Sequence, residues 1–215
     1  MPQRPLFITF EGLDGSGQST HLRRAAAWLA GLGVPHIVTH EPGGTPLGDA
    51  LRAVFLDPNG IMDGTVELLL VFASRRQHLV EVIEPALAAG KHVLCDRFTD
   101  STRAYQGYGR GVPLPLIDQI DALATAGREP DHTRRFDLPA RVARARGHSP
   151  SRRRRGTADR LDAEGLAFYT RVRKGFLALA ESAPGRIRRI RSAGEPETTY
   201  RQVRAALESW LEPGP

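Results

Sequence analysis

The sequence predicts an α/β fold: a central parallel sheet of five strands, flanked by helices. Three observations carry this. Five short strand-like runs, the first of them β-rich and apolar, alternate with amphipathic segments of helical period. Strands separated by helices must cross over, which gives a parallel sheet covered on both faces. A glycine-rich turn joins the first run to the first helix, and 215 residues is one domain with room for an insertion.

Each element follows in order. Leu6–Phe10 is the first strand. Gly12–Gly17 is the turn, and Ser19–Leu32 a helix with Leu22, Ala25, Ala26 and Leu29 on one face, stopped by Gly31 and Gly33. His36–Thr39 is the second strand, ending in the turn Glu41-Pro42-Gly43-Gly44. Leu47–Leu56 reads as helix, and Val66–Ala89 as a long helix bent near Pro85. His92–Cys95 is the third strand, ending at Asp96, and Leu114–Thr125 another helix. His132–Leu138 stands where a fourth strand is due. Arg134 and Arg135 within it predict a strand that is short, displaced or at an edge, since arginine is rarely fully buried. Ala140–Arg146 is a short helix, followed by the Ser-, Pro-, Gly- and Arg-rich loop His148–Thr157. Asp162–Ala180 is a long helix, Arg186–Ile190 the last strand and Glu197–Leu211 the closing helix. Residues 1–215 form one domain, with an arginine-rich flap at about 144–158.

Composition narrows the function. The chain is 40% hydrophobic and 25% charged, which excludes full-length disorder. No apolar run approaches the roughly 18 residues of a membrane helix. Leu6–Phe10 is too short for the core of a secretory leader, and Cys95 is the one cysteine, so a reducing cytoplasm is expected. Of 30 basic residues only Lys91 and Lys174 are lysines. Arg128 to Arg160 holds 11 arginines against 4 acids, a local +7 within an overall +6. A pI near 10.2 suggests nucleic acid. An excess this localised suits a phosphate clamp at least as well, and nucleic acid is not the expected partner.

Gly12-Leu13-Asp14-Gly15-Ser16-Gly17-Gln18-Ser19 follows a strand and opens a helix, the setting of a phosphate-binding P-loop. Backbone N–H groups of such a loop wrap phosphate oxygens, and the helix N-terminus favours the anion. Ser19 is placed for Mg²⁺. The pattern G-x-x-x-x-G-K-[ST] wants lysine where this chain has Gln18. Glutamine donates hydrogen bonds but brings no charge to the β- and γ-phosphates. Asp96 closes an apolar strand, where a carboxylate can organise Mg²⁺ and its waters. Cys95 reads as a small core residue.

The run Asp96–Gly111 (DRFTDSTRAYQGYGRG), with FEGLDGSG, EPGGT at Glu41–Thr45, Arg75 on its helix, Asp159-Arg160 and FYTRVRKGFLALA at Phe168–Ala180, resembles the bacterial thymidylate kinases over nearly the whole chain. That resemblance implies the P-loop nucleoside monophosphate kinase fold, a three-layer sandwich, and phosphoryl transfer from ATP to dTMP. It implies that Gly12 to Thr20 bind ATP and that Asp14 helps hold the metal and the acceptor phosphate. Arg97 would hold the phosphate of dTMP, and Arg75 would lie near phosphate and base. Ser101, Thr102 and Gln106 would lie along the nucleoside, with Glu41 and Pro42 nearby, and Tyr105 would crowd the sugar 2′ position. Members with glycine at the place of Gly15 supply a cationic arm from the flap. The arginines Arg144, Arg146 and Arg152 to Arg155 agree with this, Arg152 and Arg153 being the catalytic candidates. ATP and Mg²⁺ are the implied cofactors. A homodimer is expected, for which the helix Val66–Val82 offers an apolar face. Asp159 and Glu164 read as helix-start acids.

Three departures from the family stand beside Gln18. His40 occupies a common arginine position. Val71 stands where an aromatic stacks on thymine, Phe72 lying one place later and about 100° round the helix. Arg134 and Arg135 interrupt an apolar strand. These departures leave a second reading, a weakened or non-catalytic relative that binds nucleotide or nucleic acid.

Overall fold

The computed structural model describes residues 4–147 and 159–211. Five parallel strands run in the order β2-β3-β1-β4-β5: β1 Phe7–Gly12, β2 His36–His40, β3 His92–Asp96, β4 His132–Asp137 and β5 Ile187–Arg191. Helices α1 (Gln18–Gly31) and α9 (Pro196–Leu211) cover one face, packing Leu22, Leu29, Val203 and Leu207 on Ile8, Phe10 and Phe136. Alternation sends Phe7, Val93 and Cys95 to the other face, against Leu79, Ile83 and Phe98. Farther along that face, Tyr169, Val172 and Phe176 of α8 (Leu166–Ser182) form a core with Tyr105. Cys95 is a buried free thiol in this core. Strand β1 is buried along its whole length, as expected of the middle of a doubly covered parallel sheet.

Strand β4 and the helix expected from Asp162 depart from expectation, and the stretches around Pro85 and after β3 gain detail. Strand β4 is neither short nor an edge. Its six residues pair with β1 on one side and β5 on the other, although Arg134 and Arg135 are each only 2% exposed. Their burial has two different supports. The Arg134 guanidinium lies 3.6 Å over the Trp210 ring, and Arg135 Nη2 donates to Asp137 Oδ1 at 2.8 Å.

The long helix expected over Val66–Ala89 is α3 (Gly64–His78), a π-helical turn Leu79–Ile83, and α4 (Glu84–Ala88). Pro85 has no N–H and its ring would press on the carbonyl one turn back. The turn just before it widens, and Glu84 N–H donates to Leu79 O. The helix expected from Asp162 starts at Leu166. Asp159 caps a separate short turn, Arg160–Ala163, in a capping box with Asp162, and Glu164 is extended. The segment after β3 is helical: α5 (Thr99–Thr102) runs into a π-helical stretch Arg103–Gly109. The remaining helices are α2 (Pro46–Leu56), α6 (Leu114–Thr125) and α7 (Ala140–Gly147). Of the flap, Arg144 and Arg146 sit on α7, while Arg152 and Arg153 lie outside the described residues.

Candidate active site

Two adjoining cavities open at the carboxyl ends of the strands, where a parallel sheet places its ligands. The first is built on the turn after β1. A Cβ on Gly12 would come within 2.7 Å of Ser16 Oγ and 2.8 Å of Phe136 O, so only glycine fits. Gly17 caps α1 at φ 91°, a left-handed conformation suited to glycine. Asp14, Gly15, Gly17, Gln18, Ser19 and Thr20 line this cavity with Asp96 and Arg97. Leu13 points away into the core. Ser19 Oγ donates to Asp96 Oδ2, so the two expected metal ligands face the same space. A hydroxyl beside a carboxylate is the hard-oxygen set that Mg²⁺ takes. Gln18 is held on both sides: its Oε1 accepts from Ser16 Oγ at 2.8 Å, and its Nε2 donates to Asp96 Oδ1 at 3.2 Å.

The second cavity lies between α2, α3 and the helical segment after β3. Arg75 is 1% exposed, not a solvated helix arginine. Its Nε donates to Glu41 Oε2 at 2.7 Å and its Nη2 to Thr102 Oγ1 at 2.9 Å. Phe72 and Phe98 flank its guanidinium at 4.8 and 4.7 Å. Its Nη1 is buried with no partner. His78 Nδ1 lies 3.0 Å from the other Glu41 oxygen, so that carboxylate is held from both ends.

Arg97 joins the cavities. It is a non-glycine residue at φ 75°, a conformation that costs energy and is held by its neighbours. Nη2 donates to Asp14 Oδ1 at 2.8 Å, and Nη1 to Gly12 O and Ser101 Oγ, both at 2.9 Å. Tyr105 donates to Asp14 Oδ2 at 3.0 Å, and burial pushes its pKa up. Gln106 Nε2 donates to the buried Glu67 at 2.9 Å.

The family is then decided by comparison. The family model "Thymidylate kinase" matches residues 10–203. The chain belongs to the thymidylate kinase family. The thymidylate kinase of Desulfovibrio desulfuricans is 45% identical over 209 residues, 96% of each chain. That of Pseudomonas fluorescens is 48% identical over 198 residues, 92% of this chain and 91% of the relative. The crystal structure of thymidylate kinase from Ehrlichia chaffeensis superposes with a TM-score of 0.78 at 35% identity, covering 95% of this chain and all of that one. The five-stranded parallel sheet with flanking helices is thus the thymidylate kinase architecture.

Several residues of this thymidylate kinase site escaped the sequence reading. Glu11 is fully buried, accepts from Phe98 N–H at 2.6 Å and from Ser101 Oγ, and so ties β1 to the turn that carries Arg97. Burial, then Asp100, pushes its pKa up to about 8. A lone carboxylate in an otherwise apolar strand was the signal available. Glu67, also fully buried, accepts from Gln106, Arg110 and Arg160, joining α3 to the chain returning from the flap. Asp159 is a cap, as read, but it also lines the second cavity, and burial followed by Asp14 raises its pKa to about 6. Glu164 does not start a helix; it pairs with Arg110. Val71 lines the cavity, while Phe72 turns into the core with Leu68 and Ile117, and Phe55 and Phe98 supply the aromatic wall. His40 lines the P-loop cavity, 3.5 Å from Asp49, with its pKa lowered by burial and Arg52. No sequence signal marked Arg52, which lines both cavities.

Proposed function

We propose that this chain transfers the γ-phosphoryl group of ATP to dTMP, giving ADP and dTDP. The reading rests on family membership and on one observation: a buried arginine, Arg75, whose Nη1 has no partner, lines a cavity that meets the P-loop cavity at Asp14 and Arg97. An orphan buried donor is costly until a partner arrives. A nucleotide's phosphate or base oxygen is such a partner.

ATP is assigned to Gly12–Thr20, where helix α1 and the loop amides favour phosphate. The oxygens of Ser19 and Asp96 suit Mg²⁺, which when bound draws charge from the phosphates. dTMP is assigned to the second cavity, with Glu41, Pro42, Arg75, Ser101, Thr102, Tyr105 and Gln106 around the nucleoside. Arg97 is assigned to its phosphate. No general base is needed, because a phosphate monoester has its second pKa near about 6. The chemical task is to hold two polyanions together, by arginines and backbone N–H groups. Asp14 holds Arg97 in place for this. Tyr105, hydrogen-bonded to Asp14, is assigned to crowd a 2′-hydroxyl. Arg152 and Arg153 of the flap are assigned to the transferring group.

The whole chain acts in this reading as one domain, in the cytoplasm and not on nucleic acid. A homodimer is proposed through α3 and the turn after it, where Val66, Leu69 and Val80 are 46%, 53% and 51% exposed. The deciding test is a coupled assay with a panel of acceptors. dTMP is expected to lead. dUMP should follow more slowly but measurably, because one methyl group discriminates by about 1–3 kcal/mol. Equal rates with dTMP, dCMP and dAMP overturn the assignment.

A further inference from the structure

The P-loop lacks its lysine, and its substitute is tied down. Gln18 accepts from Ser16 through its oxygen and donates to Asp96 through its amide, so its side chain is held on both sides and brings no charge to a γ-phosphate. Phosphoryl transfer nonetheless needs positive charge where the β–γ bond breaks. Beside the flap arginines, a cation fixed at the junction of the donor and acceptor spaces is placed to supply it.

Four residues line both cavities: Asp14, Glu41, Arg52 and Arg97. Two of these are cations, and they differ in how their charge is spent. Arg97 is paired with Asp14. Arg52 donates through Nη1 to the carbonyl of Pro42 at 2.8 Å, a neutral acceptor. Among the described residues no carboxylate forms an ion pair with Arg52. Helix α2 fixes its position, since Thr45 Oγ1 caps the helix by accepting from Gly48 N–H at 2.9 Å. Burial, then the neighbouring Arg97, lowers the pKa of Arg52, while Asp96, Asp159 and Asp14 favour its cation without any of them pairing with it. An arriving phosphate favours that cation further.

We propose that Arg52 is a catalytic residue of this chain, its guanidinium neutralising the transferring phosphoryl group in place of the missing P-loop lysine. The inference deepens the kinase reading and rests on it. In the step served, the bond between the γ-phosphorus of ATP and the β–γ bridging oxygen breaks. Its electron pair leaves with ADP, and a bond forms between that phosphorus and an ionised oxygen of dTMP. No proton need move.

The test is a double-mutant cycle between positions 18 and 52 in the full chain, read by kcat and by KM for each substrate. Removing a preorganised charged donor at such a site costs on the order of 10²–10³ in rate. Arg52→Met should lower kcat by that factor with little change in KM for ATP, and Arg52→Lys should recover much of it. In a Gln18→Lys background the loss from Arg52→Met should shrink at least about tenfold, because two cations then share one task. Equal losses in both backgrounds, or a loss confined to KM for dTMP, overturn the proposal. So does strong coupling of position 18 to a flap arginine with none to Arg52.

A second readout needs no turnover. ADP with dTMP, Mg²⁺ and aluminium fluoride, a mimic of the transferring group, should raise the melting temperature of the parent beyond ADP and dTMP alone. That increment should vanish in Arg52→Met and persist in Arg52→Lys. An increment unchanged in Arg52→Met sinks the role of Arg52. Absence of dTMP phosphorylation by the parent sinks the kinase reading instead, and the fluoride titration, run with ADP alone, still decides Arg52.

Discussion

Arg75 and Arg134 are both large cations buried to within 2% of full exclusion, and they live under opposite conditions. Arg75 sits at the ligand end of the sheet, paired with Glu41, bonded to Thr102 and flanked by two aromatic rings. Arg134 sits on β4 with its Nε unbonded, stacked on Trp210, and burial with the nearby Arg188 pulls its pKa down to about 9. One arginine is matched by a carboxylate built for it. The other is carried by a ring face. The difference teaches that burial alone says little about purpose: Arg75 is oriented by an acid at the edge of a cavity, whereas Arg134 lies against a ring and lines neither cavity.

That contrast can be broken most severely at Glu41. Glu41→Ala leaves Arg75 as an uncompensated buried charge and frees His78, and should cost about 3–5 kcal/mol of stability in urea denaturation. A loss under about 1 kcal/mol would show that Arg75 is as self-sufficient as Arg134.

A comparable change, spread over pH, is expected at Glu11. Unfolded, this carboxyl ionises near 4.5; folded, burial moves it to about 8. Between those values the unfolded chain has released a proton that the fold keeps, so stability is highest at the acid end and falls as pH rises. Asp159, raised to about 6, adds the same sign over a narrower window. Glu11→Gln should flatten the fall between pH 5 and pH 8. Parallel urea midpoints for parent and variant would remove the argument.

Arg97→Ala tests the functional side of the comparison. Activity with ATP and dTMP should fall on the order of 10²–10³-fold, the usual effect of losing one preorganised charged donor. ATP affinity should be nearly intact. A variant matching the parent in turnover would make Arg97 a structural group like Arg134.

The smallest effect belongs to Arg134→Met. An apolar side chain of similar length relieves an unpaired buried charge but loses the stack on Trp210, for a net gain of about 1 kcal/mol. Turnover should not change. A strongly destabilised variant would mean that the stack on Trp210 outweighs the cost of burying the charge.

These pairs also mark what the sequence could convey. The succession of strands and helices, the P-loop and the turn at Glu41–Thr45 are legible because they are written locally, in alternation, glycines and proline, whereas the order β2-β3-β1-β4-β5 is not. The cap at Asp159 was equally local, an Asp-x-x-Asp box, yet the helix behind it was begun too early because Glu164 and Gly165 were read as continuous with Asp162. Arg75 could be placed on a helix but not known to be buried, since Glu41 lies 34 residues away. For Arg134 the pattern misled: charge in a strand reads as an exposed edge, and the ring that covers it comes from α9. Arg52 carried no mark, because an arginine on an amphipathic helix reads as solvated until both cavities are seen to meet beside it.

Strand β5 has a consequence of another kind. It ends the sheet, pairing with β4 alone; Gln202 covers its last residue, accepting from Arg191 N–H and donating to Arg191 O, both at 3.0 Å, and the edge before it is where another extended chain would pair. Arg188, Arg189 and Arg191 are all exposed along this margin. A second copy approaching edge to edge would bring its own three cations against them. Like charge along this margin is thus a guard against edge-to-edge pairing, with Arg189 partly offset by its ion pair with Asp137. That guard is electrostatic, and it fades as the screening length drops from about 10 Å at 0.1 M salt to about 3 Å at 1 M. Concentrated stocks of this protein should keep best at low ionic strength.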